Sequence, residues 1–135
     1  MLVNVLGIKP GTVTPDFNDV SETDWFYESV SAAASAGIVD GVGNGCFGTG
    51  LNITRQDMVV MTCRALEKVS NMSLPEGETG IFNDYNNIAE YAKGYISSAY
   101  KLGIVSGRDN NMFAPTENTT RAEAAVFIYN LLSLL

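Results

Sequence analysis

Apolar residues gather in four stretches, separated by segments rich in glycine, asparagine and aspartate. In one of them Tyr91, Tyr95, Ala99 and Leu102 recur at steps of four, four and three, the spacing of one face of an amphipathic helix. Trp25, Val30, Ala33 and Ala34 approximate the same face earlier in the chain. The other two stretches, roughly 55–69 and 121–134, are apolar nearly all round. They contain Met58, Val59, Val60, Met61, Cys63, Ala65 and Leu66 in one, and Ala124, Ala125, Val126, Phe127, Ile128, Leu131 and Leu132 in the other. A helix without a polar face is predicted to be surrounded by protein. Each amphipathic helix is predicted to stop at a glycine, Gly37 or Gly103, because a residue without Cβ takes the left-handed conformation that caps the last carbonyls. Ile38 and Ile104 then follow as the hydrophobic partners of those caps.

The four stretches are two copies of one pattern. "FND" at 17–19 returns at 82–84; further on, Trp25 falls on Tyr91, Gly37 on Gly103, Phe47 on Phe113 and Arg55 on Arg121, all at an offset of 66. Residues 3–6, "VNVL", align with "YNLL" at 129–132. The expected organisation is a helix remnant at 1–8, a linker at 9–16, a repeat at 17–70, a linker at 71–81 and a second repeat at 82–135. Each repeat reads as loop, helix, glycine turn, loop, helix. The expected fold is mainly α, with the apolar helices and the remnant forming a central three-helix bundle and the amphipathic helices packed outside it. Phe47 and Phe113 are expected to anchor their loops in the core, worth about 1.5–3 kcal/mol each if fully buried.

One motif carries chemistry. "NITRQD" at 52–57 and "NTTRAE" at 118–123 place a threonine three residues before an acid, just ahead of an apolar run. Thr54 with Asp57, and Thr120 with Glu123, therefore read as capping boxes. The box does not account for the arginine: a cation at the first helical position opposes the positive end of the helix dipole. Arg55 and Arg121 admit two readings. Each is neutralised by a neighbouring carboxylate, or each waits for an anion at a helix N-terminus, where free N–H groups and a guanidinium fork make a carboxylate or phosphate site in outline.

Composition narrows the partners. The net charge is −7 and the basic residues are scattered, so neither nucleic acid nor an anionic membrane finds a basic stripe. The most apolar segment, at the C-terminus, is shorter than the roughly 18–20 residues a bilayer crossing needs. "MLVNVLGIKPG" lacks the charged start and cleavage site of a secretion signal and is expected to mark a cut from a longer chain. There is no histidine, Cys46 and Cys63 make no CxxC, and the loop "DGVGNG" lacks calcium-ligand spacing; no metal and no cofactor is expected. Asp16, Asp19, Glu22, Asp24 and Glu28 form an acidic cluster, but acids around a helix start complement its dipole, and no catalytic pair is assigned.

In this order, F-x-D, an aromatic, an apolar helix, G-I-V-x-G, a loop phenylalanine and T-R-x-D/E, the motifs resemble the S-layer homology repeat, over 17–70, 82–135 and the tail at 1–8. The resemblance implies a non-enzymatic cell-wall anchor, extracellular, on a bacterium of Gram-positive type, with three repeats in a pseudo-threefold helical spindle of which this chain holds an incomplete set. It implies binding of an anionic secondary cell wall polysaccharide, often pyruvylated on N-acetylmannosamine, in grooves between repeats. Arg55 and Arg121 would grip the pyruvate carboxylate. Trp25 and Tyr91 would offer a ring to a sugar face, with a core-edge role as the alternative. Asp19 and Asp84 would accept sugar hydroxyls, with N-capping or turn formation as the alternative. An exposed apolar flank is expected to be covered by an upstream repeat, another copy or a swapped partner. The competing class is a structural or assembly module that keeps the fold without binding glycan, which an arginine buried against Asp or Glu would favour.

Overall fold

The computed structural model describes residues 1–12 and 16–135, so the middle of the expected 9–16 linker falls outside the described residues. Among those residues the fold is mainly α, with no strand beyond isolated bridges. The helices are α1 (Leu2–Leu6), α2 (Tyr27–Ser35), α3 (Arg55–Ser70), α4 (Glu90–Lys101) and α5 (Arg121–Leu132). None is long and apolar enough to cross a membrane. They fall in two compact units, Met1–Leu51 and Asn52–Leu135. In the first, α1 packs on α2; in the second, α3 packs on α4 and on α5. Each unit therefore joins an inner helix to the outer half of the repeat that follows it in sequence.

The glycine stops behave as expected. Gly37 and Gly103 have φ of 73° and 74°, and the amides of Ile38 and Ile104 reach back to the carbonyls of Ala33 and Ala99 at 2.9 Å. Both isoleucines are buried, so each cap is closed by hydrogen bond and by apolar contact together.

The helix faces differ from the predicted ones. In α4 the buried face is Ala92, Ile96 and Ala99, while Tyr91 is exposed and Tyr95 half-buried. The small residues face the core because α3 approaches α4 there, and the larger rings are displaced to the flank. Trp25 lies ahead of α2 rather than on its face, 93% exposed, its ring edge-on to Phe26. Of its expected companions, Val30 and Ala33 are buried.

The two apolar helices also differ. Val59, Val60, Cys63, Ala65 and Leu66 of α3 are buried, as is its polar pair Arg55 and Gln56. In α5 only Phe127, Ile128 and Leu131 are buried; Ala122, Ala125, Val126, Tyr129 and Leu132 are exposed. The expectation that both are surrounded by protein holds for α3, which α4 covers, and fails for α5.

Residues 71–80, within the expected 71–81 linker, form an extended strap laid on α4. Ser98 Oγ donates to the Pro75 carbonyl at 2.7 Å and Lys101 Nζ to that of Glu76 at 2.9 Å. At Gly77 an added Cβ would sit 2.3 Å from the Ser97 carbonyl group, so only glycine permits this approach.

Candidate functional site

The two T-R boxes start α3 and α5. At α5 the box is complete: Thr120 Oγ accepts from the Glu123 amide at 3.1 Å, and the Thr120 amide donates to Glu123 Oε2 at 3.0 Å. At α3 the Thr54 hydroxyl accepts from the Asp57 amide at 3.3 Å and donates to Asp57 Oδ2 at 2.6 Å. Aspartate is one methylene shorter than glutamate, and its carboxylate bonds the hydroxyl instead of the backbone. The next two amides of α3 are also taken, Arg55 N by the Glu117 carbonyl at 2.8 Å and Gln56 N by that of Pro115 at 3.0 Å.

Arg55 is committed to protein. Its Nε donates to the Phe113 carbonyl at 2.9 Å, Nη2 to the Ser106 carbonyl at 2.8 Å and Nη1 to Glu123 Oε1 at 2.8 Å. The guanidinium lies between the rings of Phe113 and Phe127, 5.0 and 5.1 Å from their centroids, and the side chain is 4% exposed. Burial lowers its pKa from the usual arginine range while Glu123 pulls the other way; an arginine remains charged through this. Arg108 completes the cluster, giving Glu123 Oε1 two further bonds at 3.0 and 2.7 Å and pairing with Glu117. Burial raises the Glu123 carboxyl, but the Thr120 amide, Arg108 and Arg55 outweigh it and hold it below the usual carboxylate range. One carboxylate thus caps α5 with one oxygen and neutralises two arginines with the other. Arg108 and Glu117 were missed in the sequence, where nothing ties a loop arginine to a box lying 15 residues further on.

Arg121 stands in the same frame and is the opposite case. It is exposed, and no hydrogen bond or ion pair holds its side chain among the described residues. The backbone amides of Arg121 and Ala122 likewise have no partner there. The start of α5 therefore presents two N–H donors and an open guanidinium fork.

Asp19 and Asp84 act as braces within their own units. Asp84 accepts the amides of Phe113 and Ala114 at 2.8 Å; Asp19 accepts those of Phe47 and Gly48 at 2.7 Å and Thr49 at 3.1 Å. Neither caps a helix. The Phe47, Thr49 and Gly48 amides hold the Asp19 carboxyl below its ordinary value.

Tyr91 donates its hydroxyl to Asp57, tying the start of α4 to the first turn of α3. Desolvation and that bond push the phenol up to about 12. Its ring edges an open groove of about 620 Å³ between α4, the 71–80 strap and the C-terminal half of α3, where Tyr85, Tyr95, Glu67 and Glu90 also stand. Trp25, in the first unit, presents its ring to solvent. Buried Cys63 has its thiol pushed up to about 12 by burial, which makes it inert packing.

Comparison with known proteins bears on this arrangement. The model of the S-layer homology domain matches residues 16–59 and 81–125. The chain is 39% identical over 132 residues, 98% of its length, to an amylopullulanase of Thermoanaerobacterium thermosulfurigenes, and covers 7% of that protein. It is 37% identical over 132 residues to exoglucanase XynX of Acetivibrio thermocellus, covering 12% of it. A surface-layer 125 kDa protein of Lysinibacillus sphaericus is 35% identical over 66 residues, 49% of this chain and 6% of that protein. The chain thus spans only a small fraction of the relatives it matches.

Proposed function

Since this chain belongs to the S-layer homology family, we propose that it is a non-catalytic module that anchors a larger protein to the bacterial cell wall by binding an anionic wall polysaccharide. The shared part of two proteins named as enzymes and one named as a surface-layer protein is this region, a small share of each. A feature common to such differently named proteins suits attachment better than chemistry.

The observation that carries the finer reading is the contrast between the two arginines. Arg55 supports it, since in the same frame its guanidinium holds a carboxylate and two carbonyls. Arg121 offers the same fork, unoccupied, beside two open amides of α5. A pyruvate ketal is a carboxylate fixed rigidly on a sugar, and bidentate capture at such a point adds about 1.5–3 kcal/mol per charge-assisted bond. In this reading Arg121 binds ligand and Arg55 serves structure. The burial of Arg55 against Glu123 favours a purely structural part for that arginine. Tyr91 adds an aromatic ring at a groove rim, and Trp25 adds one in the first unit.

The test is calorimetric titration with purified pyruvylated wall polysaccharide, for wild type and Arg121→Ala, with circular dichroism confirming the fold of both. The expected result is saturable binding weakened by about 10- to 100-fold in the variant, the loss of one charge-assisted bond. Equal binding by Arg121→Ala, or undiminished binding of the polysaccharide after its pyruvate is removed, would sink the arginine mechanism.

A further inference from the structure

The groove beside α4 carries chemistry that carboxylate capture leaves unused. Its walls are α4, the 71–80 strap and the C-terminal half of α3, all within the second unit. Three tyrosines, Tyr85, Tyr91 and Tyr95, line it with three carboxylates, Glu67, Glu76 and Glu90, and no arginine or lysine is among the lining residues. Lys93 pairs with Glu90. The carboxylates of Glu67 and Glu76 make no hydrogen bond or ion pair among the described residues, although Glu67 is half-buried.

The rings show what they attract. Lys93 Nζ stands 5.3 Å from the centroid of Tyr85, and the Arg64 guanidinium 5.7 Å from that of Tyr95. Tyr91 is exposed and fixed by its hydroxyl bond to Asp57, and neither a cation nor a second ring is stacked on it among the described residues. One preset aromatic face is therefore left for a cation from outside. A buried hydroxyl agrees. Ser97 lines the groove under the strap, is 4% exposed, and its Oγ has no hydrogen-bond partner among the described residues. Ser98 beside it is satisfied twice, by the carbonyls of Pro75 and Gly94. Native interiors seldom leave such a group unpaired, and a polar ligand in the groove would satisfy it.

The fold does not require these rings. Where the second repeat has Tyr85 and Tyr95 the first has Val20 and Ser29, and it forms the same glycine-capped helix without them. The walls also stand without a ligand, since Gly77 brings the strap against Ser97, and Ser98 and Lys101 hold two strap carbonyls. A volume of about 620 Å³ suits one or two sugar rings. Acceptors dominate the lining, so the ligand must bring the donors. Glu67 and Glu76 repel an anion, and an apolar ligand leaves them unanswered. A pyranose with a free amine answers each part: a C–H face for a tyrosine ring, hydroxyls for carboxylate and serine oxygens, and an ammonium for a carboxylate and an aromatic face.

We propose that the α4 groove binds an unacetylated amino sugar, a 2-amino-2-deoxyhexose, with Glu67 and Tyr91 taking its ammonium and Glu76 and Ser97 its hydroxyls. The proposal rests on the anchoring reading only in taking the ligand to be a glycan; Arg121 and the pyruvate carboxylate play no part in it. Acetylation removes the charge on the amine, so the groove discriminates between the free and acetylated forms of one sugar.

The experiment is calorimetric titration of the chain with the trimer of glucosamine at mildly acidic pH, where its amines are charged. The trimer of N-acetylglucosamine tests the charge, and spermidine tests the sugar. The expected result is saturable binding of the glucosamine trimer, about tenfold or more tighter than either control. Glu67→Gln and Tyr91→Leu are each expected to weaken it by about tenfold, with circular dichroism confirming the fold of both. Amide NMR shifts on adding the trimer are expected at 74–77 and 85–98. No binding of the trimer, equal binding of either control, variants that bind as wild type does, or shifts confined to other segments would each overturn the proposal. The probe carries no carboxylate, so its failure leaves pyruvate capture standing, and failure of the pyruvylated polysaccharide to bind leaves this site standing.

Discussion

The outer halves of the two units share a phenylalanine and aspartate ahead of the helix and a phenylalanine in the loop after it, yet they are packed to different depths. In the second, Phe82, Asp84 and Phe113 are buried; in the first, Phe17, Asp19 and Phe47 are half-buried. The local chemistry is the same in both, a carboxylate bracing the amides of the loop phenylalanine and its successor beneath a glycine-capped helix. What differs is the packed neighbour: the outer half rests on α3 in the second unit and on α1 in the first. Sequence pattern sets the loop and its brace, and the packed neighbour sets how much apolar surface leaves water. The same contrast divides the arginines, with Arg55 enclosed and Arg121 open.

The largest test of this contrast is at the arginines. Arg55→Ala strips the buried partner from Glu123 and leaves two loop carbonyls without their donor; breaking a buried pair in this way is expected to cost about 3–5 kcal/mol in urea unfolding. Arg121→Ala is expected to stay within about 0.5 kcal/mol of wild type, as exposed substitutions do. Equal losses would mean that Arg121 is held in solution as firmly as Arg55.

The loop phenylalanines come next. Phe113→Ala is expected to cost about 3–5 kcal/mol, and Phe47→Ala roughly half that, since its ring leaves less of its surface in the core. If Phe47→Ala proves the more damaging when both are melted, the first unit is better covered than its exposure indicates.

A smaller effect sharpens the comparison of the helix starts. Thr120→Ala is expected to cost about 1 kcal/mol, the usual value of a threonine cap. Adding back a serine at 120 should restore most of it, because the hydroxyl is what accepts the Glu123 amide. Failure of the serine to rescue would assign the loss to packing of the threonine methyl.

The mildest probe is acid. The Asp19 carboxyl lies below its ordinary value because the folded loop donates three amides to its ionised form. The unfolded chain therefore takes up that proton first, so the brace contributes fully above the ordinary aspartate range and its contribution is lost as pH falls through the folded value. A carbon-detected NMR titration should show the Asp19 midpoint lowered in wild type. A midpoint at the value of an unstructured peptide would remove the brace from the account of the first unit.

Much of this architecture was legible in the chain. The repeat register, both glycine stops, the capping threonines and the limits of α3 and α5 follow from local spacing, because caps and turns are settled within a few residues. The face of α4 was misjudged by following its tyrosines, since the side chains nearest α3 are the small Ala92 and Ala99. Trp25 was placed on a helix that begins two residues after it. The partners of Arg55 and Asp84 lie 58 and 29 residues away in the chain. Such pairings are created by packing, and no periodicity announces them. Whether an arginine in the T-R box is closed or open depends on what covers its helix, which its own hexapeptide does not encode.

The double duty of Glu123 has a consequence during synthesis. Arg55 leaves the ribosome 68 residues ahead of the carboxylate that neutralises it. Until Glu123 follows, α3 and α4 can meet, but the guanidinium cannot be enclosed between Phe113 and Phe127 without stranding a bare charge in an apolar slot. The second unit therefore closes late and as one event. A nascent chain stalled before residue 123 should remain digestible by protease around Arg55, and one stalled well beyond it should not.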